Sequence, residues 1–259
     1  MIFTDTHTHL YAGEFDADRD QVVRKAIDNG VNFLFLPNID RQYFPGMMEL
    51  CLRHPDHCFP MIGLHPTSVK SNYREELDFI IDKLAKAEHR FYAIGEVGID
   101  LYWDKTYAAE QSDALNVQLD LAFRYHLPVV IHTRNSFDEV IRILEEKNNP
   151  DLSGVFHCFG GSVDQAMQAI GMGFFLGIGG IITYKNSGLQ KVVEEVGLEN
   201  LVLETDSPWL TPAPNRGQRN ESSYIPIIAE KLAEIKNIPV EEVARITTQN
   251  ALKLFNIPG

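Results

Sequence analysis

Thr4-Asp5-Thr6-His7-Thr8-His9-Leu10 closes a short β-prone run, Ile2-Phe3-Thr4, near the start of the chain. On a strand, residues i and i+2 share a face, so His7 and His9 would aim their imidazoles at one point. Imidazole is a common nitrogen ligand for zinc, iron and similar ions. A single His-x-His is a weak motif and is also met as two core histidines satisfied by hydrogen bonds. Its reading depends on where the other potential ligands fall.

Short apolar runs alternate with amphipathic segments along the whole chain. The runs are Ile2-Phe3, Phe33 to Leu36, Phe59 to Ile62, Tyr92 to Ile94, Val129 to Ile131, Val155-Phe156, Phe174 to Leu176 and Leu201 to Leu203. Most are continuously hydrophobic, the pattern of parallel strands covered on both faces. Helical spacing links Val22, Val23, Ala26 and Ile27, ending at the Asn29-Gly30 cap. Leu115, Leu119, Ala122 and Phe123 repeat the pattern, as do Ile225, Ile228, Ala229, Leu232 and Ile235; Val243, Ala244, Ala251 and Phe255 mark a last helix. Eight strand–helix pairs predict an α/β fold, a (β/α)8 TIM barrel, as one domain over residues 1–259. A doubly wound sheet is the competing architecture, weakened because no Gly-x-Gly-x-x-Gly follows the first strand. The longest loop is the Pro-rich stretch from Pro208 through Asn220.

Composition narrows the function. The net charge of −13 argues against non-specific coating of nucleic acid, although it leaves room for a local cationic site. Three cysteines (Cys51, Cys58, Cys158) lack CxxC spacing and read as reduced thiols, so a cytoplasmic protein is expected. No apolar run is long enough to span a bilayer. A monomer is expected, with oligomers left open.

Against the strand ends, the polar residues fall into order. His7 and His9 end strand one, His65 follows strand three, Glu96 strand four, His132 strand five and His157 strand six; Glu204 and Asp206 end strand eight. In a barrel these C-terminal ends form the face where active sites are built. Five of the nine histidines lie there, while His54, His57, His89 and His126 precede strands and fall on the opposite face. Imidazoles and carboxylates without thiolate suit two divalent ions: zinc, manganese, iron or magnesium. Such ions about 3.5–4 Å apart share one carboxylate and activate a water, and Glu96 is the natural bridge between the imidazole sets. Cys158, next to His157, should point away and pack.

The segments Asp5 to Leu10, Gly63-Leu64-His65-Pro66, Gly95-Glu96-Val97-Gly98-Ile99-Asp100, His132-Thr133-Arg134, His157-Cys158-Phe159-Gly160-Gly161 and Glu204-Thr205-Asp206-Ser207-Pro208 together resemble the TatD family of metal-dependent deoxyribonucleases. The likeness extends to Tyr102-Trp103-Asp104 and Arg216 to Glu221, and so covers nearly the whole chain. It implies an amidohydrolase-type barrel, two divalent metals and phosphodiester hydrolysis. It also implies that His7, His9, Glu96 and Asp206 hold one metal, and Glu96, His132 and His157 the other. Asn135, Ser222 and the pair Gly160-Gly161 depart from the family pattern, in loops near the substrate.

Chemical roles follow from charge and position. Asp206 can act as ligand and base, with Glu96 and His65 completing the catalytic group; Glu204 would steady a ligand histidine or recruit a further ion. Arg134, Lys185, Arg216 and Arg219 are candidate phosphate contacts, and Trp103 is a candidate base-stacking residue. Tyr102 is expected to pack. A narrow barrel mouth favours a single strand or frayed DNA end over an intact duplex, and the resemblance implies 3′→5′ polarity. The rival readings are a small-molecule amidohydrolase acting on an ester, lactone or amide, and a non-catalytic metal-binding scaffold.

Overall fold

The computed structural model describes residues 1–257; Pro258 and Gly259, the end of the expected domain, lie outside the described residues. Eight parallel strands form at the eight predicted runs: β1 (Phe3–Asp5), β2 (Val31–Leu36), β3 (Cys58–Pro60), β4 (Ile94–Asp100), β5 (Val129–Arg134), β6 (Gly154–Phe156), β7 (Phe174–Ile178) and β8 (Leu201–Leu203). Helices alternate with them: α1 (Arg19–Asp28), α2 (Phe44–Arg53), α3 (Tyr73–Lys86), α4 (Ala108–Tyr125), α5 (Phe137–Lys147), α6 (Val163–Gly171), α7 (Leu189–Glu195) and α8 (Ile225–Lys236), followed by α9 (Val240–Leu254).

The strands pair in sequence order as β1-β2-β3 and β4 through β8. Single bridges join the two seams. Ile62 pairs with Ile94 between β3 and β4, and Thr8 pairs with Ser207 past the ends of β1 and β8. The Thr6 amide donates to the Leu203 carbonyl (3.0 Å) and the Asp206 amide to that of His7 (2.9 Å). The result is a closed (β/α)8 barrel.

Alternation along each strand explains why the runs are continuously apolar. Phe35, Phe59, Met61, Ala93, Val130, Val155 and Val202 fill the barrel interior. Their neighbours Leu34, Leu36, Ile94, Val129, Ile131 and Phe156 face the helices. Phe255, from the end of α9, plugs the interior from the N-terminal side of the strands, its ring 4.2 Å from Phe35. Asn29 caps α1 and Gly30 follows with φ +82°, a left-handed turn that glycine adopts without steric cost. Phe123 corrects the α4 stripe: it is half exposed, because the buried face runs through Leu115, Leu119 and Ala122 instead.

Candidate metal centre

At the C-terminal mouth, one carboxylate organises the site. Glu96 lies on β4, and β4 can approach β5 because Gly98 (φ +145°) stands where a Cβ would come within 2.0 Å of the His132 carbonyl oxygen. Glu96 is buried and divides its two oxygens. Oε1 lies 3.2 Å from His65 Nε2, 2.9 Å from His132 Nδ1 and 3.1 Å from His157 Nε2. Oε2 lies 3.1 Å from His7 Nε2 and 3.6 Å from His9 Nε2. Asp206 Oδ1 reaches the same two nitrogens at 3.7 and 3.5 Å. His7 and His9 do share a face, their Nε2 atoms 3.1 Å apart.

Surrounding hydrogen bonds fix which imidazole nitrogen is free. The Tyr11 hydroxyl donates to the Pro37 carbonyl, so it accepts from His9 Nδ1 (2.7 Å) and leaves the His9 Nε2 lone pair facing the cluster. His157 Nδ1 faces Glu204 Oε1 at 3.3 Å, and His132 Nε2 faces Asp100 Oδ2 at 3.0 Å. The His132–Asp100 pair is a hydrogen-bonded carboxylate–histidine arrangement of the kind that orients metal ligands, while at His157 the carboxylate makes a charge contact without hydrogen-bond geometry. His65 differs, because its Nδ1 accepts the Thr67 amide (3.1 Å) and its neutral ring therefore carries the proton on Nε2. Asp5, wholly buried, accepts from the Thr205 amide (2.9 Å) and hydroxyl (2.6 Å), tying β1 to the chain past β8 and so His7 to Asp206.

The charges reinforce one another. Burial works against the Glu96 charge, yet the imidazoles of His65, His157 and His7 and the His132 hydrogen bond hold its carboxyl well below the usual range. Asp206 is likewise held low against burial, by His9, His157 and His7. His7 and His157 stack 3.7 Å apart, so a positive charge on one ring disfavours a charge on the other. Burial and the neighbouring His157 lower His7, whereas Glu96 and Glu204 lift His157 well above the ordinary value despite burial. Among the described residues, no lysine or arginine forms an ion pair with Glu96 or Asp206; each meets histidines alone. Converging imidazole nitrogens with free lone pairs, two ionised carboxylates and a buried Glu204 Oε2 without a partner fit divalent cations. Three overlapping ligand groups fall here: His7-His9-Glu96, His7-His157-Asp206 and His65-Glu96-His132.

The model of the TatD-related DNases matches residues 4–256. This chain belongs to the TatD family. It is 39% identical to the uncharacterized metal-dependent hydrolase YabD of Bacillus subtilis, over 99% of this chain and the whole of that protein. It is 31% identical to the 3′-5′ ssDNA/RNA exonuclease TatD of Erwinia tasmaniensis, over 98% of this chain and 99% of that one. The crystal structure of YJJV, a TatD homologue from Escherichia coli, superposes with a TM-score of 0.93 at 30% identity, covering 99% of this chain and 98% of the other. The protein is thus a metal-dependent hydrolase of the TatD family.

The remaining sequence-derived site residues divide. Trp103 is 70% exposed on the loop after β4, and Tyr102, expected to pack, is 52% exposed instead. Tyr102 lies under the Arg134 guanidinium (3.8 Å), which is also 5.1 Å from the Trp103 ring. Arg216 stacks over Tyr184 (4.3 Å), and Lys185 is exposed in the loop after β7. Arg219, expected as a phosphate contact, is engaged within the protein: both its terminal nitrogens pair with Asp18 (2.8 and 2.7 Å), one also meeting Glu221 (3.2 Å) and the other the Glu14 carbonyl (2.7 Å). It anchors the long loop to the segment before α1 and engages both terminal nitrogens there. Cys158 joins none of the ligand groups; its amide donates to Glu204 Oε1 (2.6 Å) from a left-handed φ of +47°, beyond the alternation of β6.

Four contributors escaped sequence reading. Asp100 carried a signal, standing four residues past Glu96 on the same strand face. Tyr11 and Arg19 did not: Arg19 holds the carbonyls of Leu10, Tyr11 and Ala12 across space and so sets the turn beside His9. Trp209 lies 5.2 Å from the His9 ring and is 45% exposed, put there by left-handed Asp206 and Leu210 around it.

Proposed function

We propose that this protein is a two-metal phosphodiesterase acting on single-stranded nucleic acid, a deoxyribonuclease that removes nucleotides from a free 3′ end. The division of Glu96 between two imidazole sets, one oxygen to each, is the observation that carries this reading. His7, His9 and Asp206 would hold one ion with Glu96 Oε2; His132 and His157 would hold the other with Oε1. Divalent ions there supply Lewis-acid stabilisation of a phosphoryl group and acidify a water. The side chains do the positioning and the proton handling. Asp206 is 16% exposed against 2% for Glu96, so it is the carboxylate that meets substrate. With Oδ1 turned to His7 and His9, its Oδ2 accepts the proton of the attacking water. His65 keeps its proton on Nε2, where it faces Glu96 Oε1; once that oxygen holds an ion, the N–H is free for a phosphate oxygen, a role that its tautomer favours over ligation. Arg134, two residues past His132 on β5 and exposed, is a second phosphate donor at the rim. Glu204 holds His157 from behind.

The 3′→5′ direction and single-strand preference draw on likeness to the Erwinia tasmaniensis exonuclease and on the burial of Glu96, His7 and His9 at the strand ends, which favours entry of a strand end over an intact duplex. The test is hydrolysis of 5′-labelled single-stranded DNA and RNA with zinc, manganese, magnesium or iron in turn. A ladder shortening one nucleotide at a time on DNA is expected. Efficient cleavage of circular single strands would overturn end entry, and turnover confined to small esters or lactones would replace the nuclease reading with the small-molecule one.

A further inference from the structure

Two separate aromatic surfaces flank the ligand cluster, and barrel order puts them on opposite sides of the mouth. Trp103 and Tyr102 follow β4, next to β5, whereas Trp209 follows β8, next to β1. In a closed ring of eight strands, the β4/β5 and β8/β1 seams are diametrically opposed. Between them runs a continuous row of imidazoles: Trp209 meets His9, His9 meets His7, His7 stacks on His157, and His157 on His132. Glu96 touches every histidine in that row.

The two sides differ in shape. Beside Trp103 is a cleft of about 270 Å³ between residues 66–70 and 103–111, with Tyr107, Lys70 and Asp104 in its wall and Asp100 at its inner end. That is below the roughly 300–1,000 Å³ of pockets for drug-sized ligands, enough for one base and not for a dinucleotide. Lys70 in its wall stands over the Tyr107 ring, and Arg134 lies against Tyr102 and 5.1 Å from Trp103, so cationic donors for an anionic chain accompany this side of the mouth. Asp100 fixes its position: Oδ1 accepts the amides of Tyr102 (3.0 Å) and Trp103 (3.4 Å), while Oδ2 holds His132. Trp209, by contrast, presents an open indole on a braced turn. Its amide donates to the Asp206 carbonyl (2.9 Å), and its carbonyl accepts from Asn220 Nδ2 (2.6 Å).

We propose that these surfaces form a two-sided base clamp: the Trp103 cleft stacks the terminal base, Trp209 stacks the penultimate base, and the scissile phosphate is suspended over Glu96 between them. The clamp rests on the nuclease reading above and adds a requirement to it, a base on each side of the bond. Loss of either base forfeits one stacking contact, and each contact is carried by one tryptophan.

The test is a coupling experiment between protein and substrate. Wild type, Trp103→Ala, Trp209→Ala and Trp209→Phe are assayed as metal-loaded enzymes on single-stranded DNA that is intact, abasic at the 3′-terminal nucleotide or abasic at the penultimate one. On intact DNA each alanine variant should lose roughly 5- to 150-fold in kcat/KM, the range for one stacked base. The Trp103→Ala loss should vanish when the terminal base is absent, and the Trp209→Ala loss when the penultimate base is absent. Trp209→Phe should recover most of the activity, and thermal melting of each variant separates misfolding from lost stacking. Both losses following one base, the reverse pairing, or losses indifferent to either base would overturn the clamp while leaving the nuclease reading intact. Wild type that cleaves no oligonucleotide would overturn both.

Discussion

At the scale of single residues, Glu96 and the histidines around it set the chemistry. Glu96→Gln keeps the shape of the side chain but removes the charge facing both imidazole sets. The expected outcome is loss of activity by at least about 10²–10³-fold, the scale for removing one preorganised electrostatic group, with the melting temperature kept. Metal analysis beside the turnover assay checks it; full turnover with both ions retained would refute a bridging role. A second prediction concerns protons. His132 and His157 have folded pKa values raised above the ordinary 6.5, against burial, by Asp100 and Glu96 and by Glu96 and Glu204 respectively. In the metal-free protein both rings are therefore biased toward the protonated form, and the stability their ion pairing contributes is full below pH 6.5 and is lost as pH rises through the raised values. Metal binding needs the unprotonated rings, so uptake should expel protons and tighten as pH increases through and above neutrality. Calorimetry in two buffers of different ionisation enthalpy measures the release; buffer-independent heats would contradict it.

At the scale of elements, the loop from Pro208 to Glu221 has no helix or strand of its own and is held by hydrogen bonds, such as those of Asn220 to Thr205 and Trp209, and by ion pairs. Arg219 bonds Asp18 with two nitrogens, Lys25 reaches Glu221, and Arg219 lies over the Phe15 ring (4.5 Å). Because this arginine braces the loop that carries Trp209, Arg219→Ala should cost roughly 0.2–1 kcal/mol per pair lost. Limited proteolysis between residues 208 and 221 should be faster, while KM for oligonucleotides changes less than about fivefold, the kinetic equivalent of that energy. A tenfold rise in KM without faster proteolysis would return Arg219 to the phosphate contacts. Strand β7 shows a complementary constraint: a Cβ at Gly177 would come within 2.2 Å of Glu204 Oε2, so only glycine lets that buried carboxylate stand behind His157.

At the scale of the whole molecule, binding machinery and stability core occupy opposite ends of one barrel. The mouth carries ionised groups, and the other end is closed by Phe255 packed on Phe35. Phe255→Ala should therefore destabilise the protein by about 3–5 kcal/mol, the cost of emptying a buried aromatic site. Metal affinity at temperatures where the fold persists should be unchanged. Chemical denaturation together with a metal titration tests both halves, and weakened metal binding in the folded variant would show that the two ends are coupled.

The sequence by itself determined the strand count, the parallel order and the end of the barrel that carries the chemistry. Those are local or periodic properties: continuous apolar runs for strands buried on both faces, and polar residues where each run stops. Placing His7, His9, His65, Glu96, His132, His157 and Asp206 at one mouth needed no more than that, together with the topology rule. Only the tertiary structure decided what each group faces. The tautomers of His9 and His65 depend on Tyr11 and Thr67, Arg219 is absorbed by Asp18, and Trp209 reaches His9 through two left-handed residues. Those outcomes rest on contacts between distant segments and on backbone turns without a periodic signature. They were therefore fixed only once the ring of strands closed.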